Sequence, residues 1–338
     1  MNERIYVQTN DAERNEVIAF DRSDDGRLEQ LGSYETGGRG SGVPHLASQS
    51  SVVLSDDGNW LLVINAGSDE LSLFGVEPDG LRLAARVPSG GSAPTSVAEC
   101  AGSVYVLNNG TPGISGFALA DGGVAPLEGS TRSLDSGADP AQISFSPDGR
   151  TLVVTERGTN SICAFTVDEH GIAGEPRTIP SSGATPYGFV FTNGSVIVTE
   201  AFGGEAGKAA ASSYSLAEPG RLAPVSASVA NTRSEVCWAA TTGDGRFLYV
   251  TNFGDGTISS YAIREGGTLE LLEPVAGSTG LDEPGIRDEA ITRDGRFLYA
   301  IDADHQRVFG WTVADDGHLE PLGEFEGVPA TVAGLAAS

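Results

Sequence analysis

The sequence contains very little lysine, cysteine and methionine, and it has no long apolar segment. Its 338 residues include one lysine, Lys208, one methionine and three cysteines. No stretch approaches the roughly 18 consecutive apolar residues of a membrane-spanning helix, and no apolar run precedes Ile5. The cysteines, Cys100, Cys163 and Cys237, are odd in number and far apart, which favours buried free thiols over a disulfide or metal framework. We therefore expect a cytoplasmic protein without a membrane segment.

Positive charge is also scarce. The chain carries 46 acidic residues against 20 lysines and arginines, which gives a formal net charge of −26 and an isoelectric point near 4.3. Such a surface repels nucleic acid and anionic membranes, so neither is expected as a partner. Acidic side chains with almost no lysine suit a salt-rich cytoplasm, and the acidic composition of a GC-rich genome would produce the same bias. Both explanations stay open.

The abundant residues form a repeat, and its clearest copy is the segment at 142–168, QISFSPDGRTLVVTERGTNSICAFTVD. Two runs of β-branched and apolar residues are joined by Pro-Asp-Gly, a signal for a turn between strands, and a third run follows a second turn. The polar residue that ends the second run recurs at spacings of 43 to 55 residues, which suits four short strands per unit. The seven positions are Asn10, Asn65, Asn108, Glu156, Glu200, Asn252 and Asp302.

The order of these units predicts a closed ring. One unit is divided between the two ends of the chain: its first strand lies at the C-terminus, and its other strands lie at the N-terminus. The ring therefore closes only if Thr331–Ala337 pairs with Ile5–Thr9. The 46 glycines and 17 prolines suit many tight turns and leave little room for helices. We therefore predict an all-β protein of one domain, residues 1–338, folded as a seven-bladed β-propeller of four-stranded blades. The first strands are predicted to begin near Ser51, Ser96, Gln142, Gly188, Trp238, Asp288 and Thr331.

Successive strands of a blade run in opposite directions, so alternate connections between strands lie at opposite ends of this propeller. The short turns that contain glycine fall almost entirely at one end, where hairpin geometry explains them. The variable connections share the other end, and loops on a rigid scaffold are where sites are usually found. Two of them are long: Thr36–Ser50, which carries Arg39, His45 and Gln49, and Ala201–Ser212. Either could cover a site, and both could also be merely mobile glycine-rich loops.

Carboxylates and other polar groups are predicted to meet at this variable end. Glu156 and Glu200 follow adjacent strands in matching Val-Thr-Glu contexts. Two carboxylates at one mouth could act as an acid and a base or could bind a cation, and either could instead cap the next turn. The beginnings of the first strands add a mixture of cations, anions and aromatic rings that suits a small polar anion or a lactone. The candidate binding residues are Arg39, Gln49, Thr95, Gln142, Tyr187, Glu235, Trp238, Asn252, Arg287, Asp288 and Glu289.

Common signatures of other chemistries are missing. The four histidines are dispersed, and the sequence has no HExxH, no Gly-x-Ser-x-Gly and no phosphate-binding loop. We therefore expect no resident metal or cofactor, although a divalent cation held by Glu156 and Glu200 stays an alternative.

Three of the repeats resemble those of the seven-bladed lactonase family. They are Ser-Pro-Asp-Gly-Arg-x-Leu at 146–152, Gly-Asp-Gly-Arg-Phe-Leu-Tyr-Val-Thr-Asn at 243–252 and Arg-Asp-Gly-Arg-Phe-Leu-Tyr at 293–299. That family includes propeller-type 6-phosphogluconolactonases and fungal carboxy-muconate lactonising enzymes. The similarity covers essentially the whole chain, and it implies the propeller fold and an activity on lactones.

The functional residues implied by this resemblance are only partly present. The family's mouth histidine falls at Ala141, and the arginine and histidine of its Gly-Pro-Arg-His motif fall at Tyr187 and Gly188. A further arginine falls at Phe253, whereas the glutamate of its Asn-Glu-Leu motif is kept as Glu200. Because arginine pairs usually hold phosphate groups, the resemblance points away from a phosphorylated sugar lactone.

Three functions remain consistent with the residues. In the first, the protein opens or closes a small carboxylate-bearing lactone: Glu200 or Glu156 moves a proton, and Arg157, His45 or Arg287 steadies the negative charge. In the second, the propeller binds a ligand without catalysis. In the third, a cation held by the two glutamates assists lactone hydrolysis. A small-molecule substrate is the expected partner, and the oligomeric state stays open.

Overall fold

The computed structural model describes residues 3–43, 46, 48–120, 122–280 and 283–338, and in them seven antiparallel sheets form a ring. Each sheet is one blade, whose first strand lies innermost. Blade 3 has a fifth, two-residue strand because its outer edge is broken. The predicted all-β, seven-bladed propeller is confirmed. No helix in the described part of the chain is long and apolar enough to cross a membrane.

The blades are numbered from the N-terminus, and blade 1 takes its innermost strand from the C-terminus. Its strands are β29 (Val332–Ala337), β1 (Arg4–Thr9), β2 (Glu16–Arg22) and β3 (Leu28–Glu35). Blades 2 and 3 contain β4 (Val52–Leu54), β5 (Trp60–Asn65), β6 (Glu70–Glu77) and β7 (Gly80–Pro88), then β8 (Pro94–Cys100), β9 (Ser103–Asn108), β10 (Gly113–Ala120), β11 (Gly123–Pro126) and β12 (Arg132–Ser133). Blades 4 and 5 contain β13 (Pro140–Phe145), β14 (Thr151–Glu156), β15 (Ser161–Thr166) and β16 (Arg177–Pro180), then β17 (Pro186–Thr192), β18 (Ser195–Glu200), β19 (Ala210–Glu218) and β20 (Arg221–Ala230). Blades 6 and 7 contain β21 (Val236–Thr241), β22 (Phe247–Asn252), β23 (Thr257–Ile263) and β24 (Leu269–Ser278), then β25 (Ile286–Ile291), β26 (Phe297–Asp302), β27 (Arg307–Val313) and β28 (Leu319–Phe325). Three single-turn 3₁₀ helices span Phe202–Gly204, Phe253–Asp255 and Glu265–Gly267.

Pairing of the two chain ends closes the ring as predicted. Strand β29 lies antiparallel to β1, with Ile5 opposite Ala337 and Val7 opposite Leu335. The Arg4 amide also donates to Ser338 Oγ at 2.7 Å. Without β29, β1 would present an unpaired edge in the middle of the molecule.

The hydrophobic core lies between blades rather than within one. Strands such as β14 and β18 are buried along their whole length because both of their faces pack against neighbouring sheets. The outer strands alternate between exposed and part-buried positions, as in β3. Cys163 and Cys237 are buried and Cys100 is half-buried, and all three are free thiols as predicted.

Turns between first and second strands contain a recurring hydrogen bond, from a serine or threonine hydroxyl to the aspartate two residues later. The Ser146 hydroxyl donates to Asp148 at 2.6 Å, and the Thr292 hydroxyl donates to Asp294 at 2.5 Å. Gly149 follows with φ of 68°, a left-handed conformation that glycine adopts freely. Local hairpin chemistry therefore accounts for these recurring turns without any functional role.

Five inner strands begin two residues before their predicted starts. Strand β25, for example, begins at Ile286 rather than at Asp288. Each of these strands carries a bulge near its beginning, and one extra residue there disturbs the two-residue alternation that the sequence pattern relies on. The long loop of blade 5 is also shorter than predicted, because Ala210 to Ser212 lie in β19.

Candidate active site

The bulges of the inner strands build the mouth of the propeller at its variable end. A bulge re-aims side chains away from the regular alternation of a strand. In blades 1, 3 and 4 the extra residue is small: Ala333, Thr95 and Ala141. In blades 5, 6 and 7 each bulge is a pair of residues that includes larger side chains, so most aromatic and charged groups of the bulges lie on one side of the ring. Those pairs are Tyr187-Gly188, Cys237-Trp238 and Arg287-Asp288.

Arg287 is the principal cation of this mouth. Its side chain is only 4% exposed, and its guanidinium carbon lies 4.6 Å from the centre of the Phe253 ring. One terminal nitrogen lies 3.4 Å from Asp304 Oδ1. Its Nε is buried and has no hydrogen-bond partner among the described residues. A buried N–H without an acceptor costs free energy, and an acceptor on a bound ligand would remove that cost.

Arg157 provides a second cation from the adjoining blades. Its guanidinium carbon lies 5.0 Å from the centre of the Tyr187 ring. A terminal nitrogen donates to Asp139 Oδ1 at 2.6 Å, so this charge is largely neutralised. Both Arg157 and Arg287 favour the thiolate form of Cys237, but burial outweighs them and raises the pKa of that thiol to about 12. Cys237 is therefore a neutral wall residue at physiological pH, not a nucleophile.

Aromatic rings form the rest of the wall. Tyr187 and Trp238 meet edge to face, with ring centroids 5.8 Å apart. Both are buried, and burial raises the pKa of the Tyr187 hydroxyl well above its usual value. They pack with Ala201 and Cys237, and the half-buried Phe253 lies against this cluster. The wall is consequently apolar and rigid, as the wall of a small-molecule site usually is.

Glu235 is the half-buried carboxylate of the mouth. It lies immediately before β21 with φ of 53°, a left-handed conformation that is uncommon for glutamate. The carboxylate lies between two glycines, since a Cβ built on Gly204 would be 2.9 Å from Oε1 and one built on Gly254 would be 3.2 Å from Oε2. The two missing side chains leave room for this carboxylate beside Cys237, whose thiol pKa it raises.

A segment from the opposite side of the ring closes the floor. The indole N–H of Trp238 donates to the Ser48 carbonyl at 2.9 Å. The amide of Gln49, 9% exposed, pairs with the backbone of Ala239, donating to its carbonyl at 2.8 Å and accepting from its N–H at 3.1 Å. The amide of Gln49 is therefore engaged by blade 6.

The two predicted catalytic glutamates lie elsewhere, within their blades. Glu200 is fully buried and accepts hydrogen bonds from the Gly183 amide at 2.7 Å and from the hydroxyls of Ser212 at 2.5 Å and Ser228 at 2.7 Å. The expectation that it is exposed at the mouth is wrong, because the loop before β17 and strands β19 and β20 enclose it. Its catalytic role stays a prediction that this placement does not favour.

Glu156 has the same kind of environment. It is 2% exposed and accepts hydrogen bonds from the Thr159 hydroxyl at 2.5 Å and the Cys163 thiol at 3.1 Å. Asn252, at the matching position of blade 6, accepts from Asn231 at 2.8 Å and donates to Ser259 at 2.9 Å. These residues fasten each second strand to its neighbours. They do not converge on one point.

The remaining candidates are scattered. Gln142 is buried and pairs with the backbone of Phe189, and Thr95 is buried at the bulge of blade 3. Arg39 is exposed in a surface groove that it shares with Arg14 and Arg86. His45 lies outside the described residues.

Asp288 and Glu289 are both buried beside Arg287. Asp288 accepts hydrogen bonds from the Leu335 and Glu289 amides, at 3.1 and 2.9 Å, yet burial raises its pKa to about 8. Glu289 has no side-chain hydrogen-bond partner among the described residues, and the backbone of Thr251 lies near its carboxylate. Burial, reinforced by Asp288, raises the pKa of Glu289 well above its usual value. Burial therefore opposes ionisation of both carboxyl groups.

Sequence reasoning missed Phe253, Cys237 and Ser48 as parts of this mouth. Phe253 could have been found, because the family comparison already assigns an arginine to its position. Tyr187 is the second position where that comparison expects an arginine, and each of these rings carries an arginine on its face. The contribution of Ser48 is a carbonyl from across the ring, for which a sequence pattern gives no signal.

A cavity of about 480 Å³ opens at the opposite end of the propeller, beside the ring closure. Arg4 is buried in its lining, and each guanidinium nitrogen has a hydrogen-bond partner. Nε donates to Asp21 at 2.8 Å, and the terminal nitrogens donate to the carbonyls of Glu77 at 2.7 Å and Pro78 at 2.5 Å. Arg293, which also lines this cavity, donates to the carbonyls of Asp56 at 3.2 Å and Ser55 at 2.6 Å, so both arginines of the described lining are bonded to the protein. Within the described ranges, no three histidine, cysteine or acidic side chains are arranged to hold a metal ion.

Solved structures of similar fold cover the whole chain. A protein from Lactobacillus plantarum aligns with a TM-score of 0.79 and 17% identity, over 100% of both chains. A periplasmic gluconolactonase from Pseudomonas aeruginosa aligns with a TM-score of 0.77 and 17% identity, over 100% of this chain and 99% of its own. A Bacteroides uniformis protein provisionally assigned as a 6-phosphogluconolactonase gives 0.76 and 19%, with the same coverage. At these identities the likeness supports the fold alone.

Sequence comparison is more specific about ancestry. No curated protein sequence matches the chain. The family model described as "Lactonase, 7-bladed beta-propeller" matches residues 6–120, 97–201 and 196–334, which together span nearly the whole ring. The chain therefore belongs to the seven-bladed β-propeller lactonase family.

Proposed function

We propose that this protein opens or closes a small, polar, carboxylate-bearing lactone at the mouth formed by blades 4 to 7. The observation that carries the proposal is Arg287, a buried guanidinium whose Nε–H has no acceptor among the described residues. Lactone hydrolysis places negative charge on the carbonyl oxygen, and a preorganised buried donor is the kind of group that stabilises such charge. Membership of the lactonase family supports this reading.

The other mouth residues have complementary roles. Glu235 takes a proton from water as the water oxygen adds to the lactone carbonyl carbon. The ring C–O bond then breaks, its oxygen gains a proton, and a hydroxy acid results; ring closure is the reverse. Tyr187 and Trp238 exclude water and hold the ring of the substrate, while Arg157 orients a substrate carboxylate.

The charge of the mouth favours a carboxylate over a phosphate. Arg157 is paired with Asp139, and Arg287 is close to Asp304. Glu235 adds another negative charge, so the mouth has no surplus of cations for a doubly charged group. A single carboxylate needs one bidentate partner, whereas phosphate recognition usually recruits several arginines or lysines.

A binding protein without catalysis remains the second candidate. Its supporting observation is that Ala141 and Gly188 occupy the positions where the family resemblance places histidines. A cation-dependent reaction through Glu156 and Glu200 has less support, because hydrogen bonds from hydroxyl, thiol and amide groups already engage both carboxylates.

The test compares two buried arginines. Native protein, Arg287→Met and Arg4→Met are assayed on neutral aldonolactones, carboxylate-bearing lactones and 6-phosphogluconolactone. Arg287→Met is expected to lower kcat/KM by about 100-fold or more while keeping the melting temperature, since it removes a donor aimed at the transition state. Arg4→Met is expected to lower the melting temperature, because the acceptors on Asp21, Glu77 and Pro78 lose the donor that Arg4 provides. It is expected to leave kcat/KM of the folded fraction unchanged.

Two outcomes would contradict the proposal. Equal activity of native protein and Arg287→Met would remove Arg287 from the reaction. If the native protein bound a lactone without converting it in either direction, the binding function would replace the enzymatic one.

A further inference from the structure

One side-chain position joins successive inner strands around the ring. It is the third residue of the inner strand, and in blades 3 and 4 its side chain reaches the backbone of the next blade. In blade 4, the Gln142 amide donates to the Phe189 carbonyl at 3.0 Å and accepts from the Phe189 N–H at 2.6 Å. In blade 3, Ser96 Oγ accepts from the Ile143 amide at 3.2 Å. These bonds satisfy inner-edge groups that have no strand partner.

Blade 5 has glycine at this position and therefore lacks such a side chain. Gly188 faces β21 of blade 6, where a Cβ would lie 3.0 Å from Trp238 Cα, and the residue that needs the bond is the next one, Ala239. Gln49, 190 residues away in sequence from Ala239, provides it: its amide donates to the Ala239 carbonyl at 2.8 Å and accepts from the Ala239 N–H at 3.1 Å. This pair of bonds repeats the one between Gln142 and Phe189.

The absence of a side chain at Gly188 is necessary for this arrangement. A Cβ at Gly188 would lie 2.6 Å from Gln49 Oε1 and 2.5 Å from the Cys237 carbonyl, closer than real Cβ atoms approach. On the far side, the Gln49 carbonyl accepts from the Ser96 hydroxyl at 2.7 Å, which anchors the segment to blade 3. Gln49 thus links opposite sides of the ring.

We propose that Gln49 is a positioning residue of the mouth, replacing across the ring the bridge that Gly188 cannot make. This role rests on the proposed function of the same site. Gln49 fixes β21 at Ala239, directly after the Cys237-Trp238 bulge, and that bulge lies between the bulges carrying Tyr187 and Arg287. Loss of the bridge would let the middle of the wall shift, which would misplace the two cations relative to a substrate.

Hydrogen exchange tests the bridge without any substrate. In Gln49→Leu, amide exchange is expected to accelerate at least 10-fold in the peptide covering Val236–Thr241 and to stay unchanged in Pro186–Thr192. Gln142→Leu should give the reverse pattern, because its amide protects Phe189. Gly188→Ala should reproduce the Gln49→Leu pattern, since the new methyl group displaces the amide. Unchanged exchange at Val236–Thr241 in both Gln49→Leu and Gly188→Ala would overturn the bridge.

Kinetics test the positioning role. Gln49→Leu is expected to raise KM about 10-fold for the lactone that the native protein converts, with a smaller change in kcat. The control is Gln8→Leu, which removes a fully buried amide of blade 1 that donates to the Ile64 carbonyl at 2.7 Å, and its KM should match that of native protein.

The two failures are distinguishable. Faster exchange in Gln49→Leu with unchanged KM would overturn the positioning role. A native protein that converts no lactone would contradict the proposed function and, with it, the catalytic meaning of Gln49, while the exchange experiment would still decide whether the bridge exists.

Discussion

Two sets of polar side chains near the variable end differ in how completely the protein uses their hydrogen-bonding groups. The first set, at the ends of the second strands, includes Glu156, Glu200 and Asn252. Each is buried and bonded to neighbouring loops or strands. The second set, at or beside the inner-strand bulges, includes Arg287 and Glu235. The buried Nε of Arg287 has no acceptor among the described residues, and the half-buried carboxylate of Glu235 lies between two glycines.

This difference distinguishes residues with a structural role from residues that can act on a ligand better than residue type does. A glutamate that accepts three or four hydrogen bonds from the protein has little capacity left for a substrate, and removing it leaves donors unpaired. Groups with unused capacity in a concave, rigid wall are the ones that a ligand can satisfy. The family resemblance selects Glu200, whereas the geometry selects Glu235 and Arg287.

The sharpest test of the comparison exchanges each glutamate for its amide. Glu235→Gln is expected to lower turnover of a converted lactone by about 100-fold, the usual effect of losing a positioned proton-transfer group, at nearly constant stability. Glu200→Gln is expected to lower stability by about 1–3 kcal/mol, because an amide nitrogen would face the donors that now bond the carboxylate, and to leave turnover nearly intact. Chemical denaturation and steady-state kinetics on both variants provide the measurements.

The reverse result would exchange the two roles. If Glu200→Gln abolished turnover at unchanged stability, the residue retained from the family motif would be the catalytic one despite its burial.

The second prediction concerns Asp288, which lies in the bulge of blade 7 beside Arg287 but accepts two backbone hydrogen bonds. Its folded pKa of about 8 lies above the ordinary value of 3.8, chiefly because of burial. The folded state therefore holds a proton that the unfolded chain releases, so stability falls as pH rises from about 4 to about 8 and is flat above that range. Glu289, whose pKa is also raised, contributes in the same direction.

Asp288→Asn should reduce this dependence. Between pH 5 and pH 8 the native protein is expected to lose at least about 1 kcal/mol more stability than the variant. The asparagine can still accept from the Leu335 amide. Urea denaturation at the two pH values measures the difference, and parallel losses in both proteins would show that Asp288 is ionised when folded.

The third and smallest effect concerns salt, which distinguishes surface charges from buried ones. With 46 acidic residues against 20 basic ones, repulsion between surface carboxylates should weaken as ionic strength rises from about 0.05 M to about 1 M, where the screening length is about 3 Å. The melting temperature should therefore rise. The KM for a carboxylate-bearing lactone should change much less, because the side chains of Arg157 and Arg287 are only 15% and 4% exposed and buried charges are screened weakly.

A flat or falling melting temperature would argue against adaptation to salt, and a KM that rises steeply with salt would mean that exposed cations, rather than Arg157 and Arg287, bind the substrate. The cytoplasmic location expected from the free cysteines stays a prediction.

The sequence by itself determined the architecture of this protein. Seven spaced copies of a strand–turn–strand pattern, with the last strand displaced to the C-terminus, predict a ring closed by Thr331–Ala337 against Ile5–Thr9, and the structure pairs Val332–Ala337 with Arg4–Thr9. The Asp-Gly turns are equally local, because Asp148 and Gly149 need only their own neighbours to form a hairpin. Such features are predictable since hydrophobic periodicity and turn chemistry act over a few residues.

The site was decided by tertiary structure. A single extra residue in each bulge changes which side chains of β17, β21 and β25 face the mouth, and simple alternation does not reveal it. The burial of Glu200 depends on serines 12 and 28 residues further along the chain, and the floor depends on Gln49 reaching Ala239 across 190 residues. These contacts are set by the closure of the ring, which brings distant segments together only once all seven blades are in place.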